Sequence, residues 1–209
     1  MVNVAVLVSG GGTNLQAILD AEDSGILKSG KVTLVVSNNP NAYALTRAAN
    51  HGVETLVLSK ADYPTQSGFE TALVDALTRH GIDLIVLAGF MRILSADFTS
   101  RYPERIINVH PALIPSFCGK GYYGLRVHEE ALKYGVKVTG ATVHFVNEIP
   151  DGGRIIAQKA VYIEPDDTPE TLQKRVMTEA EWILLPRAIE QVSQDISEKN
   201  GIKSRLSRA

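Results

Sequence analysis

At 209 residues and 44% hydrophobic content, the chain is sized for one domain that buries a substantial core, with no room for a second full domain. Its 21 Lys and Arg stand against 23 Asp and Glu, a formal net charge of -2, which argues against the basic footprint of a protein that binds nucleic acid or an anionic membrane. Cys118 is the one cysteine, which rules out an internal disulfide and a cysteine-based zinc site and suits a reducing cytoplasm.

The N-terminus, Met1 to Val6, has no basic segment ahead of its apolar stretch, and no apolar run reaches membrane length, so a soluble, cytoplasmic protein is expected. Short apolar runs at Val4 to Val8, Val32 to Val36, Val53 to Leu58, Leu84 to Ala88 and Ile106 to Val109 read as buried strands in parallel pairing. Helical patterns fall between them at Thr13 to Ala21, Ala42 to Asn50, Gly68 to Arg79 and Ala96 to Tyr102. This alternation predicts an α/β fold with a doubly wound, mostly parallel sheet. A Pro- and Gly-rich loop from Pro111 to Gly124 then precedes a short helix at Val127 to Lys133. Lys137 to Val146 and Arg154 to Ile163 read as two longer strands added antiparallel at the edge, joined by a turn containing Pro150, Asp151, Gly152 and Gly153. From Thr168 the apolar spacing of Leu172, Val176, Ile183, Leu184, Ile189 and Val192 predicts one long helix, followed by a polar, frayed tail from Glu198 to Ala209. The whole of 1–209 is expected to be a single domain.

Ser9-Gly10-Gly11-Gly12-Thr13-Asn14 sits between a buried strand and a helix, where close backbone approach and unpaired helix N–H groups suit a phosphate. Thr13 with Gln16 also fits a capping box, which would explain the helix start without a ligand. The loop is neither the dinucleotide-binding nor the Walker pattern, so the monophosphate of a small substrate is favoured.

Asn108 and His110 share one face at the C-terminal end of their strand, where open parallel sheets bind ligands. His110 then suits acid/base work and Asn108 suits donation to an oxyanion. Should the Lys137 to Val146 run pair beside that strand, its turn returns Asp151 to the same crevice, where a carboxylate would raise the His110 pKa. An ordinary Asp-Gly turn is the competing reading. His144 shares a face with Thr142 and either lines the crevice or is a satisfied core histidine. His51, His80 and His128 read as surface or helix residues.

Four segments together resemble the folate-dependent formyltransferases over essentially the whole chain: Val6 to Leu15, Leu87 to Leu94, Ile107 to Pro111, and His144 to Val146 leading to Asp151-Gly152-Gly153. The resemblance implies a Rossmann-like formyltransferase fold in which Asn108, His110 and Asp151 match the catalytic trio. It implies 10-formyltetrahydrofolate as formyl donor and 5-phosphoribosylglycinamide as acceptor, in de novo purine biosynthesis. Gly12, Thr13 and Asn14 match the acceptor-phosphate site, and Glu181 matches the acidic residue that holds the acceptor ribose. Met91, Arg92, Ile93 and Leu94, with Asn108 and the loop Asn147, Glu148, Ile149, Pro150 and Asp151, match the folate-binding segments. Three departures stand out. The span from Arg175 to Glu181 is one residue longer than the family spacing, Gln66 replaces a basic folate-contacting residue of some members, and the loop from Cys118 to Tyr123 is longer than in some relatives. His144 and Gln66 are further crevice candidates.

The partners implied are these two small molecules, with no metal, nucleic acid or membrane, acting on a monomer or homodimer. Enzymes sharing the trio that hydrolyse formyltetrahydrofolate or formylate methionyl-tRNA carry a further domain, which a chain starting directly with its first strand is expected to lack. A non-catalytic nucleotide sensor using the Gly10 to Asn14 loop is the alternative from another class, and it leaves Asn108 and His110 unexplained.

Overall fold

The computed structural model describes residues 1–206. Among them the strands β1 (Val2–Val8), β2 (Gly30–Ser37), β3 (Glu54–Val57), β4 (Leu84–Leu87), β5 (Ile106–His110), β6 (Val138–Phe145) and β7 (Ile155–Tyr162) form one sheet in the order β3-β2-β1-β4-β5-β6-β7. The helices are α1 (Thr13–Asp23), α2 (Tyr43–Asn50), α3 (Gln66–Arg79), α4 (Ala96–Ser100), α5 (Leu125–Tyr134), α6 (Pro169–Val176) and α7 (Trp182–Leu206), with a π-helical turn at Met177–Glu181 between the last two. None of the described helices is long and apolar enough to cross a membrane. The chain resolves into two compact units, Met1–Arg92 with the segment from Pro186 onward, and Ile93–Leu185.

In the first unit, β1 pairs in parallel with β2 and β4, and β2 with β3. Val4, Ala5, Val6, Leu7 and Val8 are fully buried, as a strand covered on both faces requires. Leu15, Ile18 and Leu19 of α1, and Phe69, Leu73 and Leu77 of α3, supply the helical side of this core. Helix α7 contributes Ala188, Ile189, Val192 and Ile196, and Glu190 holds it by accepting from the backbone N–H groups of Lys28 and Ser29, both at 2.8 Å.

In the second unit, β5, β6 and β7 pair antiparallel, the edge addition expected from the two long apolar runs. β6 is buried along nearly its whole length, whereas β7 is largely exposed. Gly140 lets the two strands approach, since a Cβ there would lie 2.0 Å from the Lys159 carbonyl oxygen. A capping box starts α6: the Thr168 side chain accepts from the Thr171 N–H, the Thr171 side chain answers to the Thr168 N–H, and Pro169 opens the first turn. Arg175 closes the element with a two-pronged ion pair to Asp167 and a bond to the Tyr162 carbonyl.

Three expectations are corrected. Thr13 is not the cap of α1, because Gly12 occupies that position in a left-handed conformation (φ 73°). Gln16 turns instead to Asp20 and Arg47, at 2.8 and 2.9 Å. The single long helix from Thr168 is interrupted by the π turn, where one extra residue widens the coil. The tail from Glu198 stays helical to Leu206, and its last three positions, 207–209, lie outside the described residues.

Candidate active site

β5 carries Ile107 and Val109 to one side and Asn108 and His110 to the other, because strand side chains alternate. The register of β6 sets His144 opposite Asn108 and Thr142 opposite His110, so four polar side chains share one patch of sheet. Thr142 pins the chain leaving β5: its hydroxyl donates to the Ala112 carbonyl at 2.7 Å and accepts from the Ile114 N–H at 3.1 Å. The turn between β6 and β7 returns Asp151 onto this patch, in a left-handed conformation with φ 56°. Gly153 permits the return, since a Cβ there would sit 1.7 Å from the Phe145 carbonyl oxygen.

Asp151 Oδ2 lies 3.6 Å from His110 Nδ1, and its Oδ1 lies 3.5 Å from His144 Nε2. The Gly119 N–H donates to Oδ2 at 2.8 Å. The other nitrogen of His110, Nε2, is 2.8 Å from the Phe117 carbonyl oxygen. A carbonyl only accepts, so Nε2 carries a proton and the neutral ring keeps its lone pair on Nδ1, facing the carboxylate. His144 Nδ1 likewise donates to the Phe145 carbonyl at 2.8 Å, which turns Nε2 toward Asn108 Nδ2 at 3.2 Å. His144 is therefore neither an idle core residue nor a free one: it holds the Asn108 amide.

Burial pushes the His110 pKa below the ordinary histidine value, against the opposing pull of Asp151 and the Phe117 carbonyl. The expected rise is thus reversed, because a ring only 4% exposed loses more by desolvation than one carboxylate at 3.6 Å restores. Burial alone would raise Asp151, yet the hydrogen bond to His144, the charge of His110 and the Gly119 N–H together bring it below the usual carboxylate value. The resting pair is a neutral imidazole beside a carboxylate. His128, on α5, is fully buried with no hydrogen-bond partner for either ring nitrogen, and burial and the nearness of His110 lower its pKa to about 4. Of the two readings expected for it, surface or helix, the helix holds and the surface does not, because a helix position does not reveal burial.

The remaining candidates divide between the units. In the first, the carbonyls of Ser9, Gly10 and Gly11 accept from Asn39 Nδ2, the Ala44 N–H and Arg47 Nε, at 3.1, 3.1 and 2.9 Å. With the loop's acceptors turned to the protein, an anion meets no carbonyl of these three, and Arg47 supplies a cation beside the glycines. Arg47 escaped the sequence reading because nothing in its own helix marks it. Thr13 and Asn14 open α1. Arg92 stacks 4.0 Å above the Phe69 ring and donates to Gln66 Oε1 at 3.0 Å, while the Met91 N–H donates to Ser9 Oγ at 2.9 Å.

In the second unit, Ile93 is exposed and Leu94 is buried. Asn147 shapes the turn by accepting from the Ile149 N–H at 3.0 Å, and Glu148, Ile149 and Pro150 are exposed beside Asp151. Glu181 is buried at the end of the π turn. Among the described residues no group of three or more His, Cys, Asp or Glu is arranged to hold a metal ion.

Comparison with known proteins adds a lineage to this geometry. Residues 2–189 match a family model described as formyl transferase. The chain is 42% identical over 177 residues to the chloroplastic phosphoribosylglycinamide formyltransferase of Arabidopsis thaliana, covering 84% of this chain and 60% of that protein. It is 40% identical over 189 residues to the phosphoribosylglycinamide formyltransferase of Haemophilus influenzae, covering 90% of this chain and 86% of that protein. Among solved structures, glycinamide ribonucleotide transformylase 1 from Symbiobacterium toebii is similar with a TM-score of 0.86 at 42% identity, over 93% of this chain and 89% of that one. The chain thus spans less than two thirds of the plant relative, and only 13% of the trifunctional purine biosynthetic protein adenosine-3 of Drosophila melanogaster, to which it is 44% identical over 187 residues.

Proposed function

Because the chain belongs to the formyl transferase family, we propose that it moves a formyl group from 10-formyltetrahydrofolate to the amine of 5-phosphoribosylglycinamide, a step of de novo purine biosynthesis. The observation that carries this reading is the cluster of Asn108, His110, His144 and Asp151, with Asp151 Oδ2 3.6 Å from His110 Nδ1. The relatives that bear the acceptor's name support the choice of acceptor. All of residues 1–209 are proposed to act as one formyltransferase domain, with two small molecules as partners and the cytoplasm as setting.

The folate co-substrate supplies the formyl carbon. Segments 91–94 and 147–151 are proposed to bind the folate, and within the second unit Ile93 and Ile149 are exposed apolar side chains of the kind a fused aromatic ring covers. Gly12, Thr13 and Asn14, with Arg47, are proposed to hold the acceptor phosphate, and Glu181 its ribose.

Attack of the amine places negative charge on the formyl oxygen and a surplus proton on the nitrogen. Asn108, its amide set against His144, donates a hydrogen to that oxygen. His110 Nδ1, which carries the lone pair of the neutral ring, takes the proton from the amine. Asp151 stabilises the imidazolium so formed, whose charge favours the oxyanion. As the tetrahedral adduct collapses, His110 returns the proton to the departing folate nitrogen. The ring therefore begins and ends neutral, and no covalent enzyme intermediate is needed.

A spectrophotometric assay with 10-formyltetrahydrofolate and 5-phosphoribosylglycinamide tests this. Acceptor-dependent release of tetrahydrofolate that collapses in Asp151→Asn is expected. Equal release without acceptor would point to a hydrolase, and absence of release from folded protein would refute the proposal.

A further inference from the structure

The loop after β5 does more than connect. Phe117 and Gly119, two residues apart, are both left-handed, with φ 49° and 86°. Glycine adopts this conformation freely, whereas a bulky aromatic residue does so only when its surroundings hold it there. The Phe117 ring is held: its centroid is 6.0 Å from that of Tyr134, edge to face, and 6.5 Å from that of Tyr122. With the ring anchored and the backbone turned, the Phe117 carbonyl reaches His110 Nε2 and the Gly119 N–H reaches Asp151 Oδ2, each at 2.8 Å. The loop thus puts an acceptor on the histidine and a donor on the carboxylate, the two members of the proton-handling pair.

Resting on the function proposed above, we infer that Phe117 and Gly119 are positioning residues whose backbone groups fix the tautomer of His110 and keep Asp151 ionised. The acceptor on Nε2 forces all proton exchange onto Nδ1, the atom that faces Asp151. The donor on Oδ2 favours the carboxylate, so the proton resides on the ring once it arrives. Four titratable groups surround His110: Asp151 from the β6–β7 turn, His144 from β6, His128 from α5, and the Cys118 thiol in the loop near Asp151. None duplicates the carbonyl, because each can change its proton count and Phe117 O cannot. Loss of the carbonyl leaves burial to dominate, and the ring becomes harder to protonate.

Phe117→Asn and Phe117→Val provide the test, since both delete the ring but only asparagine tolerates the left-handed backbone. Long-range proton–nitrogen spectra of the histidines in ligand-free protein, recorded across pH, read tautomer and midpoint directly. Wild type is expected to show neutral His110 protonated at Nε2. Phe117→Asn is expected to keep that tautomer and midpoint. Phe117→Val is expected to mix tautomers, lower the midpoint and reduce kcat/KM on the order of 10-fold, with the KM for acceptor unchanged. Protonation at Nδ1 in the wild type overturns the inference without any variant, so it stays testable even if Phe117→Val misfolds. A Phe117→Val titration identical to wild type also overturns it, as do equal changes in both variants. The expected spectra from a protein that transfers no formyl group would uphold the tautomer assignment and sink the functional reading instead.

Discussion

Asn108 Nδ2 lies 3.2 Å from His144 Nε2, in a pair that faces across the β5–β6 ladder. His144 Nδ1 is committed to the Phe145 carbonyl, so Nε2 is the atom turned both to the Asn108 amide and, at 3.5 Å, to Asp151 Oδ1. His144→Phe keeps the volume of a buried ring but releases the amide and one side of Asp151. Its kcat is expected to fall about 10- to 100-fold, less than the roughly 100- to 1000-fold typical of deleting an oxyanion donor outright, as Asn108→Ala would. Steady-state kinetics checks this, and a change in KM alone would contradict it.

A neutral resting His110 makes the rate depend on pH in a definite sense. Its pKa lies below the ordinary histidine value through burial. kcat/KM should therefore hold through neutrality and fall only as pH drops through that lowered midpoint, because protonated His110 cannot accept the amine proton. Asp151, held below the usual carboxylate value, stays ionised across this range. A profile in which activity rises on acidification would show that His110 must start protonated.

His128 makes an independent contribution to stability. The unfolded chain binds its proton near 6.5, whereas the buried ring does so only at about 4. The folded state is thus penalised as pH falls through that interval, by about 3 kcal/mol at its lower end. Denaturant titrations from pH 7 to pH 4 should show this loss in the wild type. In His128→Leu the dependence should flatten, leaving the smaller slope that His110 contributes in the same direction.

Gly153 and Gly12 cannot accept a side chain, for different reasons. At Gly153 a methyl group would meet the Phe145 carbonyl oxygen at 1.7 Å, so Gly153→Ala must push the turn off the sheet. A loss of about 3 kcal/mol, the upper end for overpacking, is expected together with loss of turnover, since Asp151 moves with the turn. At Gly12 the φ of 73° and a Cβ only 2.6 Å from that of Ala44 oppose alanine. Gly12→Ala is expected to raise the KM for the phosphorylated acceptor more than it lowers kcat. Thermal unfolding and kinetics of the two variants separate these effects.

Much of this architecture is written in periodicity. The buried runs at Val4 to Val8 and Leu84 to Leu87 are apolar on both faces, and such runs survive any local detail. Asn108 and His110 were legible because two polar side chains on one face of an apolar strand have no packing reason to be there. The conditional placement of Asp151 holds because β6 pairs with β5, a matter of apolar length and turn residues. What stayed hidden depends on balances or on main-chain contacts. The direction of the His110 shift turns on burial outweighing charge, and the Phe117 carbonyl has no signature of its own in the letters around it. At the start of α1 the cap is Gly12, and Gln16 pairs with Asp20 and with Arg47, a residue distant in sequence.

The wide turn at Met177–Glu181 has a consequence for how this sequence could diverge. In an unbroken α-helix, one added residue rotates everything beyond it by about 100°. Leu185, Ala188, Ile189, Val192 and Ile196, all buried, would then swing toward water, and Glu181 would leave its place among the inward-facing residues. Confined to a single turn, the addition is instead a local bulge whose exposed members, Thr178 and Glu179, carry the misfit. A residue can be gained or lost there while the flanking helices remain in phase, which makes this turn a natural place for length variation.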